Sequence, residues 1–82
     1  MKFYALSFKG TDNKNLKPIT AVEFTDESKA KRHAEVINDT FKKMNEMGMM
    51  DEIVDCDVYD THEYNEIIRH ATTRVKLIID KD

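Results

Sequence analysis

The chain has 82 residues, 35% of them charged and 40% hydrophobic, with a formal net charge of −3 and a single cysteine. That length holds one domain, which buries only about 60% of its unfolded surface, so stability is modest without a partner or a second copy. One Cys, no apolar run of membrane-spanning length and enough hydrophobic side chains for a core exclude an internal disulfide, a transmembrane helix and a disordered chain.

Lys2 to Lys9 alternates, with Tyr4, Leu6 and Phe8 on one face and Phe3, Ala5 and Ser7 on the other. Aromatic content and a period of two predict a strand, and apolar residues on both faces predict a central one. The same stretch is too short and too alternating for a signal peptide, and a lone Cys suits a reducing compartment, so the expected location is the cytoplasm. Gly10 to Lys17 is a polar loop, read as a long hairpin connection, whose length beyond a tight hairpin also leaves it free to be a mobile arm. It is no phosphate cradle, since neither a second glycine nor Gly-Lys-Ser/Thr follows. Pro18 leads into a second strand, Ile19 to Phe24, with Thr20, Val22 and Phe24 pointing inward.

Thr25 to Gly48 reads as one long amphipathic helix. Ala30, Ala34, Ile37, Phe41 and Met44 share a narrow core face, opposite Lys31, Arg32, Glu35, Asp39, Lys42 and Glu46. Thr25 or Asp26 caps its start, and Gly48 supplies a left-handed turn after its end. Beside the core face runs a second stripe of His33, Val36, Thr40 and Met47, and Met44, Met47, Met49 and Met50 cluster near the end. Methionine suits adaptable contacts.

Asp51 to Tyr59 predicts a half-buried strand, with Val54, Cys56 and Val58 inward and Ile53, Asp55, Asp57 and Tyr59 on the other face. Asp60 with Glu63 resembles a capping box at the start of a short helix whose buried face is Tyr64, Ile67, Ile68 and Ala71. Thr72 to Asp80 closes the chain as a strand, with Thr73, Val75, Leu77 and Ile79 inward and Arg74, Lys76 and Ile78 outward. The expectation is therefore a single α+β domain over residues 1–82, in the order β-β-α-β-α-β. Its sheet is mostly antiparallel, with the long and the short helix packed on it, most simply on one side.

Charge is segregated. From Asp51 to Glu66 there are seven acids, Asp51, Glu52, Asp55, Asp57, Asp60, Glu63 and Glu66, with no Lys or Arg among them. Such a block steers a basic partner or imitates a phosphate track, or it is simply a solvated strand edge that resists aggregation. A nucleic-acid mimic should be more acidic overall than −3. The basic residues are interleaved with acids, so direct nucleic-acid binding is not expected.

His62, Glu66 and His70 fall at i, i+4 and i+8 on the short helix. The two histidines would stand about 12 Å apart along the axis, too far to share one ion. An i, i+4 pair still needs further ligands, such as Asp57 or Asp60, before it holds zinc, and the alternative is a surface ion pair. Cys56 lies on an inward strand face, where burial keeps it a thiol. No Ser-His-Asp arrangement, nucleotide loop or cofactor motif is present, so neither enzyme activity nor a cofactor is expected.

No family is identified by motif. In general appearance the compact, acidic chain resembles the small accessory proteins that bacteriophages encode to bind and redirect host machinery, which implies a protein-binding role. The expected function is a small non-catalytic binding module of inhibitor or adaptor type. Its expected contact residues are the seven acids together with Val36, Met47, Met49 and Met50. The alternatives are a metal-binding protein or metal-assisted hydrolase using Asp57, His62, Glu66 and His70, and a nucleic-acid mimic. Spare apolar residues and an open C-terminal strand also predict a homodimer.

Overall fold

The computed structural model describes residues 1–80. It is a small α+β domain of four strands and two helices: β1 (Phe3–Gly10), β2 (Lys17–Phe24), α1 (Glu27–Glu46), β3 (Ile53–Asp60), α2 (Thr61–His70) and β4 (Lys76–Ile79). The sheet order is β3-β1-β2-β4, so β1 is central, as its two apolar faces require. β1 runs antiparallel to both β2 and β3, whereas β4 joins β2 in parallel.

The helices lie on opposite faces of the sheet, not on one side. Under α1, Ala5, Phe24, Ala30, Ala34 and Cys56 form one core, with Phe3, Val22, Ile37 and Val58 packed against it. Under α2, Tyr4, Leu6, Ala21 and Tyr64 form the other, joined by Phe8, Tyr59, Ile67, Ile68 and Val75. Each face of β1 thus has its own helix. The rings of Tyr4 and Tyr64 stack with centroids 3.9 Å apart and planes within 6°, which fixes α2 over β1.

Local chemistry accounts for the element ends. Asp26 is the N-cap of α1, its carboxylate accepting from the Ser28 amide at 2.8 Å. After α1, Gly48 takes φ +70°, a conformation that glycine adopts without steric cost, and the Met49 amide donates back to the Met44 carbonyl at 3.0 Å. The Asp60–Glu63 capping box of α2 is complete in both directions. The β1–β2 connection is not an unorganised arm. Asp12 accepts from the Lys14 amide at 2.9 Å and from the Asn15 side chain at 3.2 Å. A Cβ at Gly10 would come within 2.5 Å of the Asn15 carbonyl oxygen, so the loop also requires glycine there. The β1–β2 register slips between Ser7 and Phe8, next to Pro18, which has no N–H to give the ladder.

β4 is shorter than the period-two pattern predicts, and none of its four residues is buried. The segment before it is tethered by the Thr73 hydroxyl, which donates to the Pro18 carbonyl at 2.7 Å. The division into inward Leu77 and Ile79 and outward Ile78 therefore fails. Among the described residues neither helix packs against β4, and both of its faces are open.

Candidate functional surface

The lateral position of α1 decides which part of the sheet stays exposed. Ala30 and Ala34 are small enough to let the helix backbone approach closely, and both are buried. Asn38, one turn further on, donates from Nδ2 to the Cys56 carbonyl at 2.9 Å and accepts from the Cys56 amide at 2.7 Å. This two-bond clamp draws α1 toward β3, the edge of the sheet, and away from β4. α1 packs on β3, β1 and the near side of β2, while α2 packs on β3 and β1. Both helices thus crowd one half of the sheet.

The uncovered half on the α1 side is an apolar groove of about 350 Å³. Its helix wall is His33, Ile37 and Phe41, its floor includes Thr20, Val22 and Ile78, and Met50 closes one end. Lys9 stands on its rim. It continues into a shallower depression lined by Phe24, Arg32 and Val36. The His33 ring packs against Phe24 with centroids 5.5 Å apart. Phe41 and Ile37 are consequently only half-buried, although the helical spacing assigns them to the core.

The expected contact residues divide between separate places. Val36 and Met50 belong to the groove and its extension, whereas Met47 and Met49 project at the end of α1 and are 72% and 66% exposed. Asp55 and Asp57 alternate with Val54, Cys56 and Val58 and so lie on the α2 side of β3. Four of the seven acids have local partners. Glu52 pairs with Lys9 at 3.2 Å, Asp60 and Glu63 cap α2, and Glu66 meets Arg69 at 3.5 Å and His70 at 3.7 Å. Asp51, Asp55 and Asp57 have no ion pair among the described residues. The acidic window is therefore in part helix-capping chemistry and in part a bare ridge along the β3 edge.

His70 Nε2 lies 3.7 Å from Glu66 Oε2 on the surface of α2. Among the described residues no group of three or more His, Cys, Asp or Glu is placed to hold a metal ion. Cys56 is a buried free thiol, and burial pushes its pKa up, against a hydrogen bond with Ser7 that lowers it.

Sequence reasoning missed one buried charge. Glu23 is 8% exposed on β2, where its Oε1 accepts from the Tyr4 hydroxyl at 2.9 Å and its Oε2 lies 3.5 Å from the Lys2 ammonium. Its place in an otherwise apolar strand was the available signal. Among the described residues no buried side-chain nitrogen or oxygen lacks a hydrogen-bond partner, so this acid is a satisfied structural group. No helix of the described residues is long and apolar enough to cross a membrane.

Comparison with protein-family models, curated proteins and solved structures gives no match.

Proposed function

We propose that the chain is a small non-catalytic protein-binding module, and that the groove between α1 and the open half of the sheet is its main contact surface. The observation that carries this reading is the apolar floor and wall left by the displaced α1: Val22 and Ile78 below, His33, Ile37 and Phe41 beside. The floor crosses from Ile78 on β4 through Val22 and Thr20 on β2 to Ser7 on β1 and Val54 on β3, and two strands of it measure about 10 Å, the diameter of one helix. The occupant that fits is an amphipathic helix of a partner protein, laid beside α1 with its apolar ridge on the floor. Arg32 on the rim, and Lys9 on exchanging its Glu52 pair, favour acidic residues flanking that ridge. The Asp51–Asp57 ridge, on the β3 edge, serves as a separate steering surface for a basic region of the same partner. An accessory role on host machinery, as the general appearance suggests, is one setting for such a module.

The test is capture of partners from the cells that make the protein, followed by binding of the purified partner to Ile78→Asp and Val36→Asp. A charge in the floor or on the flank should weaken binding at least about tenfold, with far-UV circular dichroism unchanged. Equal binding by both variants would move the contact surface elsewhere. Metal analysis of the purified protein addresses the metal alternative: stoichiometric zinc lost in His70→Ala would favour it. A partner displaced by excess duplex DNA would favour mimicry.

A further inference from the structure

The two edges of the sheet are treated differently. On β3, the outward amide and carbonyl of Cys56 are both taken by Asn38. Asp55 and Asp57 flank that position, so two β3 edges pairing about Cys56 would set acid against acid. Nothing comparable protects β4. It has no strand on its far side and no helix over it among the described residues. Leu77, Ile78 and Ile79 are 45%, 43% and 55% exposed.

The ladder to β2 defines which backbone groups are open. The Asp80 amide donates to the Glu23 carbonyl at 3.0 Å, and Glu23 is in register with Ile79. In a parallel ladder alternate residues face the same neighbour, so Ile78 turns its polar groups toward β2 as Asp80 does. The amides and carbonyls of Leu77 and Ile79 point to the open side.

We propose that a second copy of the chain pairs along this edge, β4 antiparallel to β4, about a two-fold axis at Ile78. In that register Leu77 of one copy faces Ile79 of the other, and their outward groups exchange hydrogen bonds, about four in all. Ile78 meets Ile78 on the groove side. Lys76 faces Asp80 of the second copy, and the pair is repeated across the axis. A shift of two residues either way sets Lys76 or Asp80 opposite an isoleucine, so charge complementarity selects the register. The two sheets become one, and the two grooves meet in a single trough between the α1 helices. The contact is smaller than a standard interface, so association is weak, with a dissociation constant of about 10–100 µM. The pairing uses the β4 edge alone and does not depend on the groove's having a partner.

Sedimentation equilibrium from about 5 to 500 µM tests it. The wild-type mass should rise from one chain toward two and stop there. Lys76→Asp and Asp80→Lys, each of which sets like charges across the axis twice, should each weaken association at least about tenfold. An equimolar mixture of these two variants should recover it, because the mixed pair places Asp against Lys at both ends. Amide exchange of the wild type supplies a reading that needs no variant: Leu77 and Ile79 should slow as concentration rises. A one-chain mass at every concentration overturns the proposal. So does a dimer indifferent to both reversals, a mixture that stays monomeric, or exchange at Leu77 and Ile79 that ignores concentration.

Discussion

Leu6 has no exposed surface, whereas Phe41, the largest apolar side chain of the long helix, is half-buried at a groove wall. Full burial predicts that Leu6→Ala costs about 2–5 kcal/mol, a large part of what a domain this size has. Phe41→Ala should cost less, about 1–2 kcal/mol, because part of its ring faces the open groove rather than packed side chains. Urea unfolding of the two variants checks the order, and a costlier Phe41 variant would mean that α1 sits closer to β4. The tyrosines set the alkaline limit. Tyr4, Tyr59 and Tyr64 all have pKa values raised above 10.0, chiefly by burial, with Glu23 adding to Tyr4 and Tyr64 and Asp57 to Tyr59. A group raised in the folded state favours folding below its unfolded pKa, and that contribution disappears as pH climbs through the folded value. Cys56, raised from 9.0, acts in the same direction. The melting temperature should therefore fall from about pH 9 upward, and tyrosinate absorbance should appear late and together with unfolding. Tyrosinate that forms at pH 10 in the folded protein would contradict the burial of these rings.

At the scale of elements, α2 has ten residues, too few to be stable alone, so its cap and its tyrosine stack carry weight. Asp60→Ala removes one side of the capping box and should cost about 1 kcal/mol, measured by thermal or urea unfolding. The elements themselves were legible in the sequence because periodicity and caps are local: the Asp60–Glu63 box, the Gly48 turn and the Ala30–Ala34 face all lie within one or two turns of chain. The strands' neighbours were not. β1 shows two apolar faces, and these call for cover on both sides, yet no local pattern assigns a helix to either face. The groove was less legible still. Its existence depends on the sideways position of α1, fixed by Asn38 binding Cys56 across 18 residues, and a single polar side chain on a helix flank announces nothing of that kind. The acidic window was visible as composition. Its division into caps and bare ridge needed the fold.

For the whole molecule, an exposed sheet edge raises the question of what would stop pairing along it from growing into open chains. Pairing at β4 alone closes after two copies, provided that β3 refuses a partner. Asn38 occupies the Cys56 backbone, and Asp55 and Asp57 repel any copy that approaches in antiparallel register. Removing these guards together should change the outcome. Asn38→Ala alone loses two hydrogen bonds to Cys56 and should destabilise by about 1–3 kcal/mol, while Asp55 and Asp57 still keep the edge apart. Asp55→Asn with Asp57→Asn removes the repulsion but leaves the backbone clamp in place. The triple variant exposes a β3 edge uncharged from Ile53 to Tyr59, with Glu52 and Asp60 left only at its ends, beside an already open β4 edge, so association no longer closes. Light scattering at a fixed temperature below melting should show growth past two chains in the triple variant, rising with concentration. Neither the Asn38→Ala chain nor the double asparagine chain should do so. Scattering by Asn38→Ala equal to that of the triple variant would assign the whole protection to the clamp and none to the acids.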